Sequence, residues 1–165
     1  MVSLPDFDPN SKNFDKNSTF NKNTLGVYEF GSVMKIFTTA IGIEENIFKP
    51  NTLYEIDDHI YIDKYKVHDV HRPCKTKKCT VEEIFVNSSN VGTINMIRDI
   101  GPDLQKKYLL DLGLLNQVNV NLPERAEPLV PDPWTMASTE SISYGYGPLS
   151  IAIILQLLNS RNSFE

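Results

Sequence analysis

Ser32 and Lys35 stand three residues apart in Gly31-Ser32-Val33-Met34-Lys35, at the mouth of an apolar segment that runs to Ile43 and is bounded by Glu44-Glu45. Residues three apart on a helix share a face, so the amine can reach the hydroxyl. A serine hydroxyl is a weak nucleophile until a base takes its proton. Burial of Lys35 against an apolar helix disfavours the ammonium form and frees the lone pair that such a base needs. Backbone N–H groups at a helix start favour negative charge beside Ser32. The pair therefore has the makings of an acyl-transfer nucleophile with its base. Serine and lysine are common, however, and chance alone supplies such a spacing in a chain of this length.

Further residues could join this chemistry. Ser88-Ser89-Asn90 offers a hydroxyl for proton relay and an amide for binding a carbonyl. The triplet is cheap, since Ser160-Arg161-Asn162 matches it again. Ser143-Tyr144-Gly145-Tyr146-Gly147 is a small-residue turn whose tyrosines, with Trp134, could line a pocket but more often pack. His68, His71, Cys74 and Cys79 form His-x₂-His-x₂-Cys-x₄-Cys, which holds metal-capable types at close spacing. That spacing fits no common zinc pattern well, and an insertion with a basic tip from Arg72, Lys75, Lys77 and Lys78 is the favoured reading. The two cysteines could pair, bind metal or remain free thiols. Asp57, Asp58 and Asp63 lack the glycine and closing glutamate of a calcium loop.

The elements that must position these residues follow from pattern. The Ser32 helix should end near Glu45-Asn46. Residues 52–56 and 59–62 have the β-branched and aromatic content of short strands and read as a hairpin, while 64–79 reads as an irregular basic loop. Thr80-Val81-Glu82-Glu83 is a capping box that opens a short helix. Residues 87–90 interrupt it, and a second helix is expected over 91–100, closed by Gly101-Pro102. Another should cover 103–112, with Leu104, Tyr108, Leu109 and Leu112 on one side and Gly113 as its stop. Residues 10–24 and 113–130 read as loop. Pro148 opens a last apolar helix.

The chain has 165 residues, of which 41% are hydrophobic and 22% charged, enough for a core in one domain or part of one. A formal net charge of −5 argues against nucleic acid as the main partner. No apolar run reaches a membrane span, and the N-terminus lacks a signal-peptide pattern, so the chain as written is expected in the cytoplasm.

Taken together with their flanks, the motifs are specific. Val2-Ser3-Leu4-Pro5-Asp6-Phe7-Asp8-Pro9-Asn10, Tyr28-Glu29-Phe30-Gly31-Ser32-Val33-Met34-Lys35, Asn87-Ser88-Ser89-Asn90-Val91-Gly92 and Ser143-Tyr144-Gly145-Tyr146-Gly147 resemble the transpeptidase domain of class B penicillin-binding proteins, nearest to the cell-division, FtsI-like type. The resemblance implies an acyl-serine mechanism on the D-Ala-D-Ala stem peptide of peptidoglycan, with no cofactor and no metal. Ser32 would be the nucleophile, Lys35 its base, Ser88 the proton relay and Asn90 the group that orients the substrate, and β-lactams would acylate Ser32. Serine β-lactamases and DD-carboxypeptidases share the first two motifs, but Asp8-Pro9-Asn10 and the Tyr-Gly-Tyr-Gly turn favour the transpeptidase.

The family also carries a Lys-Ser/Thr-Gly motif on a strand after the Tyr-Gly-Tyr-Gly segment, and this chain has none; Lys75-Thr76-Lys77 lacks the glycine and precedes Ser88. The expected fold is α+β: the helical part of the penicillin-binding transpeptidase (serine β-lactamase-like) fold, with most of the central antiparallel sheet missing and an apolar surface uncovered. The family is anchored in the inner membrane with a periplasmic domain. Residues 1–165 are expected to be a partial transpeptidase domain, without anchor or pedestal region, incomplete alone or paired with a separate C-terminal half. A non-catalytic remnant is the competing expectation.

Overall fold

The computed structural model describes residues 4–5, 8, 10–12, 19–117, 119, 121–147 and 149. Among them are a 3-10 turn, Gly31–Val33, and five helices: α1 (Met34–Glu44), α2 (Val81–Val86), α3 (Asn90–Ile100), α4 (Pro102–Asp111) and α5 (Met136–Ser143). Four short strands accompany them: β1 (Leu53–Glu55), β2 (Ile60–Ile62), β3 (Tyr65–Val67) and β4 (Lys78–Thr80). The helix expected after Pro148, the second Ser-x-Asn match and most of the expected N-terminal strand end and loop lie outside the described residues.

The strands do not pair as the sequence suggests. β1 runs antiparallel to β4, with Tyr54 opposite Cys79, and β2 pairs instead with β3. Asp63, at φ 51°, turns the chain tightly between β2 and β3, so the hairpin forms one strand later than expected. The region read as an irregular loop thus contributes two strands. Cys74 and Cys79 are joined in a disulfide that fastens the end of this excursion to β4.

Local helix signals are obeyed. Thr80 Oγ1 accepts from the Glu83 amide and Glu83 Oε2 accepts from the Thr80 amide, which completes the capping box of α2. Gly101, at φ 84°, separates α3 from α4, and Pro102 opens α4 at a position where its missing N–H costs nothing. Helix α5 is not evident in the sequence, because Met-Ala-Ser-Thr-Glu-Ser-Ile-Ser shows little apolar period. It starts where Thr135 caps the Ser138 amide, and it is held by burial of Thr139, Glu140, Ile142 and Ser143.

Helix α3 is buried along most of its length and forms the centre of the molecule, packing on α1, α2, α4 and α5. One cluster joins Ile41, Phe48, Val81, Ile84, Val91, Met96 and Ile97. A second joins Phe30, Met34, Leu109, Leu114, Ile142 and Leu149, with Trp134 packed against it. The Trp134 indole N–H donates to Thr139 Oγ1 at 3.0 Å. Between α3 and α5, Arg98 pairs with the buried Glu140 carboxylate at 2.6 Å.

Helix α1 and its flanks also carry an apolar stripe that none of the described residues covers. Val33, Ile36, Ala40, Ile43 and Ile47 repeat at intervals of three and four residues, and all five are exposed. With only two two-stranded sheets among the described residues, the architecture is α+β with the sheet largely missing. No described helix is long and apolar enough to cross a membrane.

Candidate active site

The amine of Lys35 is the hub of the site. Its residue is only 2% exposed, at the first turn of α1. Nζ donates to the Ser88 carbonyl at 2.5 Å, to Ser88 Oγ at 3.0 Å and to Asn90 Oδ1 at 2.6 Å. Three acceptors match the three donors of an ammonium. Burial pushes this amine down from an ordinary 10.5 to about 8, while the Asp69 carboxylate pulls the other way. The group is thus brought within reach of neutral pH, as a general base requires.

Ser32 lies in the 3-10 turn before α1 rather than on the helix itself, and its side chain is exposed. Among the described residues its hydroxyl has no hydrogen-bond partner, Lys35 included. The expected contact between hydroxyl and amine is therefore not made in this structure. The reason lies in the partners of the amine, which is turned toward the Ser88 and Asn90 oxygens and occupied by them.

Ser88 is placed by the way α2 ends. The Ser89 amide donates to the Ile84 carbonyl and the Ser88 amide to Phe85, the two bonds of a Schellman motif. The left-handed position in that motif usually holds glycine; here Ser88 occupies it at φ 53°. That conformation costs a side-chain-bearing residue about 1 kcal/mol. Two residues later, Asn90 begins α3 and turns Oδ1 to the amine, while its Nδ2 donates to the His68 carbonyl at 3.3 Å.

The Tyr-Gly-Tyr-Gly segment works through its backbone as well as its rings. The Gly31 amide donates to the Gly145 carbonyl at 3.1 Å, and Thr38 Oγ1 donates to the Ser143 carbonyl at 2.9 Å. The Gly147 amide reaches Glu29 Oε1 at 3.3 Å. Tyr144 and Tyr146 stack with ring centroids 6.1 Å apart. They form one wall of a cavity of about 700 Å³. The β2–β3 hairpin, through Ile62, Tyr65 and Val67, forms the other wall, and Asn90 also lines the cavity. Its size suits a ligand of several residues. Ser32 and Lys35 lie outside its lining, so Asn90 is the link between the amine and the cavity.

The His68, His71, Cys74 and Cys79 set does not form a metal centre here. The cysteines pair with each other, and among the described residues no three His, Cys, Asp or Glu side chains gather to hold an ion. The sequence reading of that loop also passed over Asp69. Its Oδ2 accepts from Ser89 Oγ at 2.7 Å, and its Oδ1 accepts from the Asn90 and Val91 amides at 2.5 and 3.2 Å. Nothing local in the sequence marks a partner twenty residues away.

This fold and this arrangement define a class. The family model for the penicillin binding protein transpeptidase domain matches residues 1–159, and the chain belongs to that family. Over 164 residues the chain is 31% identical to the probable peptidoglycan D,D-transpeptidase FtsI of Caulobacter vibrioides, covering 96% of this chain and 27% of that protein. It is 30% identical to penicillin-binding protein PbpB of Mycolicibacterium smegmatis, covering 81% of this chain and 21% of that protein. Among solved structures, the apo transpeptidase domain of Burkholderia pseudomallei penicillin-binding protein 3 superimposes with a TM-score of 0.74 at 27% identity, over 87% of this chain and 43% of that one. The chain thus spans about a quarter of the length of the curated relatives it matches.

Proposed function

We propose that the chain is the nucleophile-bearing part of a peptidoglycan D,D-transpeptidase of the septal, cell-division type. The reading rests on one observation above the others: a buried lysine amine with its affinity for protons lowered, three residues along the chain from Ser32 and held by Ser88 and Asn90. In this reading Ser32 Oγ attacks the carbonyl carbon of the penultimate D-Ala, and the hydroxyl proton passes to the neutral Lys35 amine. The peptide C–N bond breaks, and the terminal D-Ala leaves with a proton relayed through Ser88 Oγ. Attack by an amine of a neighbouring stem then breaks the Ser32 ester and returns the hydroxyl. Asn90 holds the acyl donor where the cavity meets the amine. A β-lactam carbonyl takes the same path and remains on Ser32.

Residues 1–165 are a part-domain in this proposal, and a strand carrying Lys-Ser/Thr-Gly, on the same polypeptide or on another, completes it. The exposed stripe from Val33 to Ile47 supports that reading, being an apolar face of the kind a sheet covers. Loss of an oxyanion donor from that strand costs about 10²–10³ in rate, so the chain alone is a slow acceptor of acyl groups. We place it outside the cytoplasm: the Cys74–Cys79 disulfide suits an oxidising compartment.

Incubation with a fluorescent penicillin, read by gel and intact mass beside Ser32→Ala, tests the proposal. A label that depends on Ser32 supports it. Folded protein that takes no label, alone or with the complementing strand segment added, sinks it and favours a non-catalytic remnant.

A further inference from the structure

Asp69 takes no part in the acyl-transfer steps above, yet both of its carboxylate oxygens are committed. One accepts the Ser89 hydroxyl, the other the Asn90 and Val91 amides. Ser89 Oγ in turn accepts from the Gly92 amide at 2.9 Å. A carboxylate here stabilises the start of α3, and capping alone would account for these bonds. Two further observations go beyond capping. Asn90, whose amide Asp69 holds, is the residue whose side chain bonds the Lys35 amine, and the amine's other partner, Ser88, directly precedes Ser89. Of the charged groups packed around the amine, the carboxylate whose field bears on it is Asp69; Ser88 and Asn90, which touch it, are neutral.

We propose that Asp69 is a positioning residue for Lys35, fixing the Ser88-to-Asn90 segment and so setting where the amine stands and which oxygens it meets. The β3–β4 loop that carries Asp69 is itself held, by the bond from Asn90 Nδ2 to His68 and by the disulfide at its far end. The inference rests on reading Lys35 as the base of acyl transfer.

Asp69→Asn keeps the shape and one acceptor oxygen while removing the charge. Three quantities are read on the full chain: the Lys35 titration, by NMR of ¹³Cε-labelled lysine; the thermal midpoint; and the rate of Ser32 labelling by fluorescent penicillin. The expected result is a folded variant whose Lys35 midpoint moves to lower pH and whose labelling slows about 10- to 100-fold, the scale of a misplaced catalytic group. A fall in thermal midpoint with Lys35 titrating as in wild type means capping only and overturns the proposal. So does a shifted midpoint with labelling at the wild-type rate. If wild type itself takes no label, the acyl-transfer reading fails, and the titration still decides the role of Asp69. If the Asn variant does not fold, Asp69→Glu replaces it: displacing the carboxylate by one methylene must move the Lys35 midpoint, and an unmoved midpoint overturns the proposal.

Discussion

The Gly31 amide donates to the Gly145 carbonyl across 3.1 Å, which binds the turn holding Ser32 to the turn that ends α5, more than a hundred residues later. Gly145 sits at φ 86°, and a Cβ built there runs into the Gly31 carbonyl. Both the conformation and the space call for glycine. Gly145→Ala is expected to cost roughly 3 kcal/mol, since strain and steric conflict add. Thermal unfolding should show a drop of about 6–12 °C for a chain of this size, together with slower Ser32 labelling. A variant as stable as wild type would mean that the two turns are not coupled.

The lowered proton affinity of Lys35 has two readouts. Labelling of Ser32 should rise with pH through about 8, as the amine loses its proton, and the rise should vanish in Lys35→Met. Stability follows the same group. Between about 8 and 10.5 the unfolded chain holds a proton on this lysine that the folded chain does not. This term therefore makes the fold more stable as pH rises through that window, and its penalty is fully present below it. Urea melts of wild type against Lys35→Met across the window check the sign.

Ser88 is strained where it is most needed. Ser88→Gly relieves the left-handed backbone and Ser88→Ala does not, so the glycine variant should be the more stable by about 1 kcal/mol. Both lose the hydroxyl that meets the Lys35 amine, and both should label far more slowly than wild type. Equal stability of the two variants would argue that Ser88 carries no strain.

The disulfide predicts thiol chemistry. Under non-reducing conditions the unfolded chain should show no free thiol by a colorimetric assay, since its two cysteines are paired. Replacing both by serine should cost about 2 kcal/mol for so short a loop. Zinc measured by elemental analysis should be absent in stoichiometric amount; one equivalent per chain would revive the metal reading of His68, His71, Cys74 and Cys79.

Sequence pattern revealed what is local and missed what is not. The capping box at Thr80 and Glu83, and the stops at Gly101 and Gly113, depend on neighbours a few residues apart, and the helices lie where those signals put them. The pairing of β1 with β4 joins residues about twenty-five apart. Three-residue strands carry too little pattern to select such a partner over the adjacent one. Helix α5 has small polar residues on buried ground, so its period is hidden. At the site, Ser32, Lys35, Ser88 and Asn90 were visible as motifs, but the sequence could not show that the amine turns to Ser88 and Asn90 rather than to Ser32. Asp69 was invisible because its partners are fixed by the path of a loop, which follows no period.

Trp134 is the only tryptophan of the chain, and it packs on one of the two hydrophobic clusters, with the Lys106 amine 5.6 Å from its ring centre. Its emission is therefore a built-in optical gauge of the Phe30–Leu149 side and is silent on the cluster around Ile84 and Met96. Fluorescence and far-ultraviolet dichroism followed together would show whether the halves of this interior melt as one unit or in turn.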